Sequence, residues 1–340
     1  MSQSPLVDAV KGPAESIGRY FSVLTVVPSA VTILYIQVLI GAQPWSGRPD
    51  WRAGYRFATG GGLSQALQLL VGSLLLGLVL HPLQYALVQA CEGYWGTSQL
   101  AQHLMSQRIR SHRRRRAKLV TMADESLTRL QELQQSPLDP GDPPVEDDHV
   151  KLLVRYEEAE RVVLGYPDGV NNVRPTRLGN VLRRYEARAG SQYGLSLVTV
   201  APHLVLTASE QRVAYLNDQR TALDLAIRMV VLNLLGAAAT VALLWRSGGW
   251  LAVGLIPYAL AYIFYRGSIV VAAEYGTALT TVLELSRFDL YRSFNVPRPH
   301  GLAAEVEQNE RLMELLDRDR QSADDLQIEF DVDDATEKKS

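Results

Sequence analysis

Cysteine is almost missing from this sequence: Cys91 is the only one in 340 residues. An intrachain disulfide is thereby excluded. With no cation or histidine motif beside it, Cys91 reads as a buried structural thiol. Histidine is scarce and scattered. His81, His103, His112, His149, His203 and His300 include no two at metal-ligand spacing. A glycine-rich phosphate loop, a G-x-S-x-G elbow and paired carboxylates within the apolar runs are all missing. No catalytic residue, metal site or cofactor is therefore expected, and an enzyme would need a site assembled from distant residues. The net charge of −2 is too close to zero to select a partner. No cleavable signal peptide is evident. The first apolar run begins at residue 21 and is too long for a signal h-region, so it reads as a retained anchor.

Charge, 21% of the chain overall, is almost absent from four stretches where the 47% of hydrophobic residues are bunched. The runs are residues 21–42 (FSVLTVVPSAVTILYIQVLIGA), 66–87, 226–245 and 251–271. Each is close to the roughly 20 residues that cross about 30 Å of hydrocarbon. Pro28, Pro82 and Pro257 suit kinked membrane helices, where neighbouring helices re-satisfy freed carbonyls. A buried helix of a soluble core is the alternative, most open for the first run, which Pro28 and Gln37 interrupt. The expected fold is thus an all-α integral membrane protein with four transmembrane helices in two hairpins and a cytoplasmic helical domain between them. Only residues 246–250 separate the last two runs, which requires an antiparallel hairpin. Trp245 and Trp250, with Trp45 and Trp51, are placed to form an aromatic belt on one membrane face.

Positive charge sets the orientation. Arginines from Arg108 onward follow the second run, Arg212, Arg220 and Arg228 precede or open the third, and Arg287, Arg292 and Arg298 follow the fourth. Arg48, Arg52 and Arg56 in the first hairpin loop count on the other side but are fewer. Both termini are therefore expected in the cytoplasm of a plasma membrane. The resulting plan is a cytoplasmic segment 1–20, a hairpin 21–90, a cytoplasmic helical domain 91–225, a hairpin 226–272, a juxtamembrane helix 273–300 and an acidic, partly disordered tail 301–340.

Within the polar part, Leu100, Leu104, Leu119, Met122, Leu127, Leu130 and Leu133 predict a helix over 97–135, hinged to the second run by Gly93 and Gly96. Residues 136–148 (SPLDPGDPPVEDD) read as a proline-rich acidic linker. A second helix is expected over 150–164, able to pair with the first. A short basic helix follows over 175–190, then an apolar piece over 193–204 broken by Pro202. A helix over 208–225 runs straight into the third run. Residues 275–292 look amphipathic, and a short helix is expected near 305–317.

Three stretches carry a resemblance: PTRLGNVLR (175–183), RAGSQYGL (188–195) followed by APHL (201–204), and LSRFDLYR (285–292) before Pro297. Together they resemble a family of multi-pass membrane proteins of unassigned function found in actinobacteria. Ala201 stands where that pattern has tryptophan. The resemblance implies a bacterial plasma membrane and imports no activity, cofactor or catalytic residue.

Two groups of residues are candidate sites. With the orientation above, His81, Asn233 and Arg266 all lie roughly 8–10 Å inside the inner boundary. They are candidates for an intramembrane polar layer, with Glu274 reaching back toward Arg266. The alternative is that Arg266 snorkels to the headgroups, Asn233 bonds a neighbouring helix and His81 faces the interface. The second group is Arg108, Arg110, Arg113, Arg114, Arg115, Arg116 and Lys118. They read as a topology determinant on a solvated face or as a contact for anionic lipids of the bilayer. Nucleic acid is not supported, because no aromatic interleaving accompanies them. Gly179 in the RLGN piece points to close helix packing more than to a ligand, with Arg174, Arg177, Arg183 and Arg184 on the membrane side. Ser73 with Gly77, and Gly236 with Thr240, have the spacing of helix-packing positions. The functional expectation is a membrane-anchored scaffold or signalling subunit whose cytoplasmic helices meet a protein partner. An oligomeric channel built from several copies is the alternative, and a transporter or membrane enzyme subunit a further one.

Overall fold

A computed structural model describes residues 26–135 and 145–316. Ten α-helices follow in order: α1 (Val26–Gly41), α2 (Trp51–Thr59), α3 (Gly62–Glu92), α4 (Gln99–Gln135), α5 (Val145–Val163), α6 (Arg177–Arg188), α7 (Leu197–Thr207), α8 (Glu210–Leu244), α9 (Leu255–Ser293) and α10 (Leu302–Leu316). Short 3₁₀ turns join several of them, and no strand occurs among the described residues. Three stretches are long and apolar enough to cross a membrane: α3, α8 and Gly248–Ser293, which contains α9. The helix α1 is apolar but shorter, and residues 21–25 of the expected first run lie outside the described residues.

Two boundaries differ from the sequence reading. Residues 145–148, expected in the linker, form the start of α5, while 136–144 lie outside the described residues. The expected juxtamembrane helix 273–300 is not a separate element, because α9 continues unbroken to Ser293. Ala272, Ala273 and Glu274 join its two parts, and strong helix formers leave no reason to stop there. The expected run-on of 208–225 into the third apolar stretch does appear, as α8.

The chain divides into two units: residues 1–89 with 221–271, and residues 90–220 with 272–340. In the first unit, α1 and α8 are joined by a hydrogen bond of 2.7 Å between the hydroxyls of Tyr35 and Thr240. Gly236 lies beside that contact, and a Cβ there would sit at ordinary packing distance, 3.5 Å, from the Tyr35 ring and from Pro257 of α9. Ser73 and Gly77 on α3 and Thr240 on α8 are buried, so small residues sit where helices approach. At one end the rings of Trp51 and Trp250 meet at a tilt, 5.5 Å apart, and the Ser247 hydroxyl donates to the Pro44 carbonyl at 3.3 Å. The loops carrying the expected belt tryptophans therefore do meet. The rest of the surface of α3 is leucine-rich and bare: Leu67, Leu70, Leu74 and Leu78 are exposed, and only 17% of its apolar window is buried.

The second unit holds the polar helices. α4 and α5 pack along each other as a hairpin. The chain leaves α3 at Gly93, whose φ of 103° an L side chain rarely adopts, and Gly93 lies against the Pro175 ring. α6 opens with Thr176 as its cap, the hydroxyl accepting from the Gly179 amide at 3.0 Å. Gly179 rests on the carbonyl oxygen of Glu92 so closely that no Cβ fits. This supports the packing role read from the RLGN piece. The core lies among α7, the later part of α9 and α10, built from Leu195, Leu197, Val200, Leu204, Leu283, Leu290, Tyr291 and Leu312. Pro202 does not break α7 as expected. It removes one backbone donor, and the helix continues to Thr207 because Val200 and Leu204 on either side are buried in this core. Arg212 at the start of α8 ties to α9 through Asp289 at 2.9 Å and Ser286 at 3.2 Å.

Candidate functional site

The seven cations of α4 (Arg108, Arg110, Arg113, Arg114, Arg115, Arg116 and Lys118) form no salt bridge among the described residues. They do not act as one cluster. At about 100° per residue, Arg108, His112, Arg115 and Arg116 share one side of the helix. Arg110, Arg114 and Lys118 project from the other and are exposed. On the first side His112 is buried and Arg116 half-buried, while Arg108 and Arg115 stay exposed.

His112 is the pivot of the inner side. It is only 8% exposed, and its Nδ1 lies 3.0 Å from the Tyr166 hydroxyl, with the rings 5.8 Å apart. Tyr166 sits in the bend after α5, and the backbone carbonyl of Pro175 ahead of α6 also faces the imidazole. One histidine therefore joins α4 to two other segments. Burial lowers its pKa below the ordinary 6.5, and the charges of Arg108, Arg115 and Arg177 push the same way, against the Pro175 carbonyl. Burial raises the Tyr166 pKa, with Arg115 and Arg177 opposing it.

Arginines of α6 complete this face. Arg177 acts on both His112 and Tyr166 together with Arg115. Beside them, Arg188 grips Asp168 with two hydrogen bonds of 2.6 Å. That pairing, with Arg184 and Arg116 also in range, holds the Asp168 carboxyl below the usual carboxylate range. Asp168 is thus one carboxylate among Arg116, Arg184 and Arg188. Arg183 pairs with Glu186 at 3.1 Å. Arg174 lies 5.0 Å over the exposed ring of Tyr94, just past the end of α3. The Nε donors of Arg113, Arg116 and Arg183 are shielded and meet no acceptor among the described residues. The arginines of this face thus stand beside Asp168 and Glu186, two carboxylates that each hold one of them.

The α4 cations are legible in the sequence, and the contact of His112 with Tyr166 is not. Nothing local to His112 or Tyr166 marks them as a joint, because their contact spans 54 residues of sequence. The α6 arginines were visible, and the pairing of α6 with α4 was not.

The expected intramembrane layer takes a different form. Asn233 donates to the Met229 carbonyl of its own helix at 2.8 Å. His81 and Arg266 are exposed on α3 and α9, and Glu274 is exposed in the second unit. The polar group that does form in the first unit joins α3 to α8. Gln84 donates to the Asp224 backbone carbonyl at 3.0 Å, and buried Arg228 donates to Gln84 at 3.3 Å. Gln84 was passed over because a glutamine near the end of an apolar run carries no charge signal. Cys91 is half-buried, close to its expected setting.

Compared with the models of known protein families, with curated proteins and with solved structures, this chain matches none.

Proposed function

We propose that this chain is a multi-pass protein of the plasma membrane. It works as a membrane-anchored interaction subunit whose second unit offers its helices to a cytoplasmic protein partner. The observation that carries the reading is the contrast between the units. The first leaves leucines along α3, and Ile256, Tyr258, Tyr262 and Ile263 along α9, exposed on helices of spanning length. Apolar surface on that scale needs hydrocarbon around it. The second unit packs a core of its own and turns charged helix faces outward. In this reading α1 supplies a fourth span, both termini are cytoplasmic, and the chain belongs with the actinobacterial membrane proteins that its PTRLGNVLR and LSRFDLYR pieces resemble.

A channel formed by several copies is the second reading. Exposed His81 and Arg266 favour it, because polar side chains on a spanning helix are costly in lipid and a neighbouring copy would shield them. Ion flux through liposomes holding the purified chain separates the two. A subunit that anchors and recruits gives flux at the protein-free background, unchanged in the Arg266→Ala variant. Flux in the native chain that the variant loses would overturn the recruiting role and establish the channel.

A further inference from the structure

We infer that the outer face of α7 is a docking surface for a segment of this same chain, residues 326–332. The contact lies within the second unit, goes beyond the function proposed above and is independent of the membrane reading.

The face itself is the first observation. None of the 11 residues of α7 is Asp, Glu, Lys or Arg. Its inner side, with Leu197, Val200 and Leu204, is buried in the core with α9 and α10. The outer side is apolar as well. Val198, Pro202, Val205 and Leu206 are exposed there, Leu206 at 84%. At about 100° per residue these four fall on one stripe of the helix. The neighbouring helices α4, α5 and α10 turn charged residues outward instead. A helix that is apolar on both sides calls for a cover on the second.

The end of α10 shows what is within reach. Met313 Sδ lies 3.4 Å from the amide of Ser196, the cap of α7. Leu316, the last residue of α10, packs against the core that α7 helps to build. Residue 317 therefore sets out beside the start of α7. Further on, the sequence reads DDLQIEFDVDD over 324–334, where Leu326, Ile328, Phe330 and Val332 alternate with polar residues. A period of two puts these four on one side of an extended chain and the polar residues between them on the other. The lengths agree. α7 is about 16 Å long, and the segment covers about 20 Å when extended. The stretch from Leu316 to Leu326 spans about 18 Å as a coil. A tether of that length holds the segment near α7 at about millimolar effective concentration. That advantage selects it over a second copy or a soluble partner.

The test is photo-crosslinking of the full chain, purified in detergent, with p-benzoylphenylalanine replacing Val198 or Leu206. Both probes are expected to capture the tryptic peptide 321–338. A probe replacing exposed Thr128 on α4 is expected not to. I328D/F330D places charge on the apolar side of the segment and should lower the yield at least about tenfold. Q327A/E329A changes the other side and should keep it. Circular dichroism confirms that each variant retains its helices. Unchanged yield in I328D/F330D overturns the inference, and so does equal capture by the Thr128 probe. Equal loss in both tail variants overturns it too, since the apolar side then plays no special part. Capture of detergent or added lipid alone overturns it in favour of a lipid-facing helix. Crosslinks between isotope-labelled and unlabelled chains in a mixed sample overturn it in favour of a second copy.

Discussion

Replacing Glu305 with alanine is expected to cost about 3–5 kcal/mol and to release α10. Glu305 is 5% exposed, and its Oε1 accepts from Arg287 Nε at 2.8 Å and from the Tyr291 hydroxyl at 3.1 Å. Asn309, one turn on, donates to the Tyr291 hydroxyl and to the Tyr193 carbonyl, both at 2.7 Å. The Arg287 guanidinium lies 4.3 Å over both the Tyr193 and Phe288 rings. Removing Glu305 leaves a largely buried cation and a buried hydroxyl short of an acceptor. A charge stranded in this way is among the larger single losses a fold can suffer. Leu312, fully buried on the same face, gives α10 its apolar hold but cannot offset that deficit. Hydrogen exchange is the readout. Protection of α10 in E305A should fall more than a hundredfold, with α4 and α5 unaffected. Equal protection in variant and native chain would mean that α10 is held by its leucines alone.

The second large effect is at Gly179, where the sign is the test. Helix propensity alone says that Gly179→Ala should stabilise α6 by about 1 kcal/mol. Packing says the opposite. A Cβ would collide with the Glu92 carbonyl oxygen, which is backbone, and would lie 3.1 Å from the Thr176 hydroxyl that caps the helix. To relieve the clash, the first turn of α6 must lift. That strains the Asn180 side chain, which is buried and bonded to the Arg174 amide at 2.8 Å, the Arg174 carbonyl at 3.0 Å and the Thr176 carbonyl at 2.6 Å. Overpacking of this kind costs about 1–3 kcal/mol and loss of a cap about 1 more. The G179A chain is expected to be less stable by about 2–4 kcal/mol, measured by denaturant unfolding in detergent. Gly267 on α9, where a Cβ meets nothing, is the control, and its alanine variant should be neutral or slightly stabilised. A more stable G179A chain would mean that α6 is not seated on the end of α3.

Periodicity and hydropathy made much of the helical plan readable. The leucine spacing of α4, the glycine hinge at Gly93 and the apolar runs of α3, α8 and α9 all depend on neighbours in sequence. What escaped depends on distance. Glu305 and Asn309 stood in a tail read as acidic and partly disordered, since composition assigns a carboxylate to solvent. Their burial follows from Arg287 and Tyr291, one turn apart on α9. The spacing of Glu305, Asn309 and Leu312 marks one helix face, and that was the available signal. The α4 cations were seen as a set because they are contiguous. Their division between a packed side and a solvent side depends on His112 meeting Tyr166 and Pro175, which no local pattern encodes. Continuous helices also hide their own boundaries: hydropathy ends the apolar stretch of α9 near Val271, while the backbone carries on through Gly276 to Ser293.

The proposal that the first unit spans the bilayer and the second lies in the cytoplasm is open to a direct test. The scarcity of cysteine makes it directly measurable. In a Cys91→Ala background, single cysteines are placed at Gly249, in the loop beside Trp250, and at Thr128, on the exposed side of α4. A membrane-impermeant maleimide is then applied to intact bacterial cells expressing each variant. The account predicts that G249C is labelled on intact cells and T128C only after the membrane is opened. Labelling of T128C on intact cells, with G249C protected, would contradict it.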